Sequence, residues 1–143
     1  MDPNPTVSAR RLCAIVVFII AAGPMCASSV APDAVARGQW GGQHVTMEVT
    51  ASGATLEFDC AHGRIDEPIA LDTSGRFDVR GTYAQERGGP VRETEDDRTR
   101  PVRFTGRVTG KTMSLTIAPM GGGDSLGTFA LEQGKSGVIR KCL

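Results

Sequence analysis

Two histidines and four cysteines are the side chains of this 143-residue chain best suited to nucleophilic or metal chemistry. The segment Asp59-Cys60-Ala61-His62 places a thiol close to an imidazole, the arrangement in which a base activates a cysteine nucleophile. With His44, the same segment could supply ligands to a metal ion, although a structural zinc site takes four. Whether either chemistry is available depends on the compartment of the protein and on the strands that carry these residues.

Residues 1–28 have the three-part layout of a secretory signal peptide. A polar start ends in Arg10-Arg11, an apolar run covers residues 12–22, and small residues follow at 27–29. The run is too short to cross a bilayer, which takes roughly 20 residues. We therefore expect cleavage, no stable membrane span afterwards, and a product that is secreted or periplasmic.

Cleavage would remove Cys13 and Cys26 and leave Cys60 and Cys142. Two cysteines of an exported chain most simply form a disulfide. This bond would close more than half of the chain into a loop, which in the chain-entropy model is worth about 4–5 kcal/mol. A Cys60–Cys142 disulfide would remove the thiol nucleophile and leave too few ligands for a metal site.

Apolar residues recur at every second position after Trp40, which is the period of a half-buried strand. Gly-rich turns separate the stretches, and no helical period is present. The sequence predicts an all-β fold, a small antiparallel meander of about eight strands that closes into a barrel, with a β-sandwich as the alternative. The predicted strands cover residues 45–49, 56–60, 65–71 (weaker, because of Pro68), 77–83, 102–108, 113–117, 129–131 and 138–143.

Two tight turns predict which residues face one another across hairpins. A two-residue turn at 52–53 sets Val45 opposite Cys60. A turn at 110–111 predicts the pairs Val108–Met113 and Phe104–Ile117.

The first hairpin register places the two histidines on different faces of the sheet. His44 falls on the polar face opposite Ala61, and His62 falls on the apolar face opposite Gln43. Two ligands on opposite faces cannot bind one ion, so we expect no metal site.

The carboxylates give no stronger case for catalysis. No pattern places Asp66 and Glu67, or the acidic run at 93–97, in an apolar pocket that could tune their pKa for acid–base work. We therefore expect a protein that is not an enzyme, with no catalytic residue and no cofactor.

The charge balance bears on partners. The chain has 16 basic and 16 acidic residues, and loss of Arg10, Arg11 and Asp2 with the signal leaves 14 and 15. A nucleic-acid partner would call for a basic excess, so none is expected.

Large apolar side chains at inward positions are expected to line the barrel and are the candidate ligand-binding residues. They are Met47, Phe58, Phe77, Tyr83, Phe104, Met113, Leu115 and Phe129. Because an eight-stranded barrel can be filled by its own side chains, the same residues could form a core instead. Trp40 is expected to close one end of the barrel, with Arg140 stacked on its indole.

Two segments lack the strand pattern. Residues 29–39 predict a flexible N-terminal tail ahead of a single barrel domain at 40–143. Residues 84–100 predict a long charged loop. Loops of this length are either functional or simple solvated connections, and both interpretations stay open here.

The motif Gly38-Gln39-Trp40 at the start of a small exported meander resembles the calycin superfamily of lipocalins, fatty-acid-binding proteins and avidins. A basic residue near the C-terminus, and a disulfide from an early strand to the C-terminal end, are also similar to lipocalins. This resemblance implies a barrel that holds a small apolar ligand. The chain is shorter than a lipocalin and lacks the C-terminal helix of that family.

Residues 28–40 also resemble the start of the small periplasmic inhibitors of serralysin-type metalloproteases, which are eight-stranded barrels with one disulfide. In that family the N-terminal tail enters the protease active site, whereas its cysteines lie in neighbouring strands. The stretches 40–42 and 57–63 and the ending Cys142-Leu143 most closely resemble a set of small exported bacterial all-β proteins without an assigned function.

The sequence therefore predicts an exported, non-enzymatic binding protein. The leading hypothesis is a small apolar ligand in the barrel. One alternative is a protein-binding module or protease inhibitor that acts through the N-terminal tail or the 84–100 loop. Another is a structural protein of the cell envelope.

Overall fold

The computed structural model describes residues 33–86 and 99–142. They form eight antiparallel strands that are neighbours in chain order, and β8 pairs with β1 to close a barrel. The predicted all-β barrel is confirmed, and the sandwich alternative is wrong. The strands are β1 (Gly38–Gly42), β2 (Val45–Val49), β3 (Ala54–Phe58), β4 (Ala61–Ile65), β5 (Arg76–Gln85), β6 (Thr99–Thr109), β7 (Thr112–Pro119) and β8 (Gly127–Gln133).

The hairpin between β6 and β7 has the predicted register. Phe104 faces Ile117 and Val108 faces Met113 across the turn at 110–111. The apolar residues of both strands point into the barrel, as period-two alternation requires.

The hairpin between β2 and β3 differs from the prediction by two residues. Val45 faces Phe58 instead of Cys60, because the connection is a four-residue turn in which Thr50 N–H donates to Gly53 O at 2.8 Å. A shift of two residues keeps each side chain on its predicted face, so the apolar residues of both strands still share the interior.

Three further strand predictions are wrong. The predicted strand 56–60 ends at Phe58, where the chain turns and begins β4. The predicted strand 65–71 overlaps β4 only at Ile65, and Ala70 forms only an isolated bridge to Ala34. The predicted strand 138–143 is reduced, in the described residues, to one bridge between Val138 and Gln43.

Aromatic rings fill the barrel above inward-facing glycines. The ring of Phe104 lies 3.2 Å from the position that a Cβ at Gly63 would occupy and 2.7 Å from that position at Gly81. The ring of Phe77 comes within 2.5 Å of the same position at Gly106. None of the described polar or charged residues is buried. The middle of the barrel is therefore a packed apolar core.

The end of the barrel at the turns 50–53 and 110–111, here called the closed end, is covered by two paired segments. Val35 N–H donates to Ile69 O at 3.0 Å, and Leu71 N–H donates to Asp33 O. The side chains of Val35 and Ile69 are 3% and 4% exposed and belong to the core. The described part of the predicted flexible tail is thus held against the barrel, because its one large apolar side chain is needed to close this end.

After β8 the chain turns back and crosses the outside of the barrel as a C-terminal strap, residues 134–142. Val138 N–H donates to Gly42 O at 2.9 Å, and His44 N–H donates to Val138 O at 2.8 Å. A Cβ at Gly41 would collide with the backbone of the strap. Gly41 therefore allows the strap to lie directly on the sheet.

The strap ends in the predicted disulfide between Cys60 and Cys142, whose Cα atoms are 5.3 Å apart. Beside it, Lys141 Nζ donates to the Glu57 carboxylate on β3. The disulfide joins the end of the chain to the β3–β4 turn. It therefore holds the strap across the outside of the barrel, from the end of β8 over β1 to the β3–β4 turn.

We predict that Gly81→Ala lowers the free energy of unfolding by about 1–3 kcal/mol, because the new methyl group must displace the Phe104 ring or the strand beside it. The matched control is Gly121→Ala, where a Cβ meets nothing within 4 Å. This control should change stability by less than about 0.5 kcal/mol. Urea unfolding of both variants measures the difference, and equal stabilities would contradict a packed interior.

Removal of the disulfide by Cys60→Ala with Cys142→Ala should cost about 2–5 kcal/mol, because the unfolded chain gains conformational freedom. Amide exchange should rise first in the strap. Lys141→Gln, which breaks only the neighbouring exposed ion pair, should cost less than about 1 kcal/mol. A double variant as stable as the wild type would show that the strap holds without its covalent link.

Candidate functional site

The eight candidate interior residues separate into two groups. Six of them are at most 4% exposed, and five of these six form the packed middle of the barrel. These five are Met47, Phe77, Phe104, Met113 and Leu115. The other three, Phe58, Tyr83 and Phe129, meet at the end opposite the closed end, here called the aromatic end. This cluster is the candidate site.

The three rings come from three different strands and meet across the barrel. The ring centroids of Phe58 and Phe129 are 5.1 Å apart, and those of Phe58 and Tyr83 are 5.7 Å apart, with interplanar angles of 44° and 51°. Tilted pairs at these distances are favourable contacts between aromatic rings. Gly127, two residues before Phe129 on β8, leaves room for that ring.

The cluster is only partly covered. Phe58 is buried, whereas Tyr83 and Phe129 keep part of their surface exposed. Burial raises the pKa of the Tyr83 hydroxyl, and the charge of Arg100, its partner across the β5–β6 ladder, opposes this shift. At neutral pH the hydroxyl is therefore protonated and can donate a hydrogen bond. No residue of the described ranges forms a hydrogen bond with it.

Sequence reasoning missed two residues at this end. Met120 and Leu126, in the connection between β7 and β8, are 41% and 37% exposed. The signal was present as two large apolar residues that flank a Gly-rich turn, where polar residues are usual. The connection between β5 and β6 leaves the barrel at the same end, but residues 87–98 of the predicted 84–100 loop lie outside the described residues.

Trp40 lies on β1 and is fully buried, and its indole N–H donates to Ala36 O at 2.9 Å. This bond joins Trp40 to the segment that covers the closed end. Arg140 is exposed on the strap, and no cation–π contact links it to the indole among the described residues. The predicted stacking of Arg140 is therefore not found, because the strap carries this residue across to the β3–β4 turn.

The predicted face of His62 is wrong. The turn at Asp59 and Cys60 interrupts the alternation, so His62 points outward, as does His44. His44 Nδ1 lies 2.6 Å from Asp59 Oδ2, and His62 Nδ1 lies 3.0 Å from Glu86 Oε1. With Cys60 in the disulfide, these are two separate exposed pairs. The described residues contain no group of three or more His, Cys, Asp or Glu that could hold a metal ion.

Comparison of the chain with protein-family models, with curated proteins and with solved structures finds no match. The described residues also contain no helix that is long and apolar enough to cross a membrane.

Asp59 links the strap to the β1–β2 turn. Its Oδ1 accepts the main-chain N–H of Arg140 at 2.8 Å, while its Oδ2 contacts His44. The hydrogen bond from Arg140, followed by the hydrogen bond and charge of His44, lowers the pKa of Asp59 below its ordinary 3.8. A carboxylate with a lowered pKa stabilises the fold above its ordinary pKa, and this contribution is lost as pH falls through the lowered value.

We predict that Asp59→Asn melts below the wild type at neutral pH and that the gap narrows as pH falls below about 4. Melting temperatures measured by circular dichroism across this range test the prediction. Asp124→Asn, which removes a carboxylate from the exposed β7–β8 connection, should give a curve parallel to the wild type. A constant gap for Asp59→Asn would contradict the proposed link to the strap.

Proposed function

We propose that this protein is an exported, non-enzymatic binding protein that takes up the apolar group of a small ligand at its aromatic end. The observation that carries the proposal is the cluster of Phe58, Tyr83 and Phe129. The rings of Tyr83 and Phe129 are partly exposed beside the buried ring of Phe58, at one end of a barrel whose middle is packed. Exposed aromatic surface of this kind is costly in water and is a common feature of binding sites.

The ligand would bind at the mouth of the barrel and not within it. The rings of Phe77 and Phe104 occupy the space that a deep ligand would need. An apolar group could pack against Phe129, and the Tyr83 hydroxyl could orient a polar end by a hydrogen bond. The proposed site is therefore shallow, whereas the resemblance to calycins implies a deep ligand cavity.

Export is part of the proposal. The disulfide Cys60–Cys142 is consistent with an oxidising, exported environment. The sequence pattern of residues 1–28 supports a signal peptide and therefore a secreted or periplasmic location.

The positions of the titratable side chains support the proposal that the protein is not an enzyme. The two histidine–carboxylate pairs are exposed on the outer surface, where water and salt screen their charges. The aromatic cluster itself contributes one titratable group, the Tyr83 hydroxyl, whose pKa is raised away from neutral pH.

A protein partner at the same end is the second candidate, and the exposure of Met120 and Leu126 favours it. Apolar side chains of this size on a surface loop are typical anchors of protein interfaces. Inhibition of a protease through the N-terminal tail has less support, because residues 33–35 pair with the β4–β5 connection.

Nile red, a neutral apolar dye, should bind saturably, and the protein resonances that shift should belong to Phe58, Tyr83 and Phe129. We predict that Phe129→Leu weakens binding about fivefold to tenfold, because part of an aromatic contact surface is lost. Phe77→Leu makes the same change in the core and should leave the dissociation constant unchanged.

One further double variant distinguishes a small apolar ligand from a protein partner. Met120→Ser with Leu126→Ser should leave dye binding by the rings largely intact if the ligand is small, whereas it should abolish capture of a protein partner. Failure of the dye to saturate, or resonance shifts confined to the closed end, would contradict the proposed site.

A further inference from the structure

Four arginines occupy directly opposed positions on the outer face of β5 and β6. Arg76 faces Arg107, and Arg80 faces Arg103. All four are exposed. Residues opposed in this way have Cβ atoms about 5 Å apart, and like charges at such positions destabilise a sheet. The fold therefore carries two unfavourable pairs on the same two strands.

The carboxylates near these arginines are already engaged. Asp78 Oδ1 accepts from Arg103 Nε at 2.6 Å. Asp72 lies near Arg76, but its Oδ1 accepts hydrogen bonds from main-chain N–H groups of its own turn at 2.8 and 2.9 Å. Glu67 accepts a main-chain N–H of β5 at 2.8 Å. Arg103 is thus partly neutralised by a salt bridge, whereas Arg76 has only the attraction of the nearby Asp72 charge.

The pair without a salt bridge lines a shallow groove. Arg76 and Arg107 form no ion pair within the described part of the chain. The groove runs over the outer face of β5, β6 and β7. Thr105, Ser114 and Thr116 contribute hydroxyl groups to its wall, and the carboxylates of Asp72 and Asp78, engaged as described above, also line it. Thr116 Oγ1 pairs with Thr128 Oγ1 at 2.9 Å. The two guanidinium groups and the hydroxyls of Thr105 and Ser114 can donate hydrogen bonds to a tetrahedral oxyanion.

We propose that this groove binds the phosphate group of a monoester, held by Arg76 and Arg107 and by the neighbouring hydroxyls. The anion converts the repulsion between the two guanidinium groups into a shared attraction. Arginine suits this role because its planar fork donates two hydrogen bonds to one phosphate. The groove lies on the side of the barrel, so the proposal does not depend on the aromatic end.

A single phosphate fits this surface better than a polyanion. Asp78 stands between the two arginine pairs along β5 and interrupts the basic stripe. The near-neutral charge of the whole chain also gives no general attraction to a long polyanion. The phosphate could belong to a soluble ester or to a lipid headgroup, which share the same chemistry.

The test compares melting temperatures in inorganic phosphate and in chloride at equal ionic strength. Wild type should be stabilised saturably by phosphate, and Arg76→Gln with Arg107→Gln should weaken this binding at least about tenfold. In chloride alone, the double variant should melt above the wild type, because the like-charge contact is gone. The control Arg37→Gln with Lys111→Gln removes the same charge elsewhere and should respond to phosphate like the wild type.

The direction in which the double substitution shifts the melting temperature in chloride distinguishes a ligand site from a structural role of the arginines. If the arginines only support the fold, the double variant melts below the wild type and phosphate adds nothing, which overturns the proposal. Equal stabilisation of wild type and double variant by phosphate overturns it as well.

Two further binding experiments identify the kind of molecule that carries the phosphate. Phenyl phosphate tests a soluble monoester, and phosphatidylcholine vesicles with or without phosphatidic acid test a headgroup. Binding in one arm that is lost in the double variant assigns the source, and binding in neither arm overturns the proposal.

Discussion

The rest of the structure depends on how the interior of the barrel is filled. Eight strands enclose a space just wide enough for side chains, and here the rings of Phe77 and Phe104 lie over Gly106, Gly63 and Gly81. Each inward glycine leaves room for a ring from another strand, so large and small residues interlock. The packed middle excludes a deep ligand. The two binding sites proposed above therefore lie at the aromatic end and on the outer surface, where aromatic and charged groups are exposed.

The C-terminal strap supports the place where the barrel closes, which is the short pairing between β1 and β8. These strands share only three residue pairs, whereas β6 and β7 share eight. The strap lies over β1 and is hydrogen-bonded to Gly42 of this strand and to His44 of the β1–β2 turn, and the disulfide fixes its end. Its hydrogen bonds and the disulfide thus supplement the weakest pairing of the barrel. Asp59 adds an electrostatic contact at the same place.

The sequence predicted those parts of the fold that depend on local alternation, and missed those that depend on distant contacts. The pair Phe104–Ile117 follows from period two and a tight turn. β1 could not be recognised, because three glycines and one glutamine among its five residues carry no apolar pattern. The outward position of His62 depends on a turn at Asp59 and Cys60 that contains neither Gly nor Pro. The opposed arginines appear only once the register between β5 and β6 is known.

Proton NMR of the oxidised protein, without any ligand, distinguishes a barrel filled by its own side chains from an open one. In a filled barrel, we expect nuclear Overhauser contacts from the aromatic protons of Phe104 to the α protons of Gly63 and Gly81. We also expect upfield ring-current shifts of those α protons. If neither the contacts nor the shifts are observed, and the glycine α protons show contacts with water instead, the interior is open and the barrel is not filled by its own side chains.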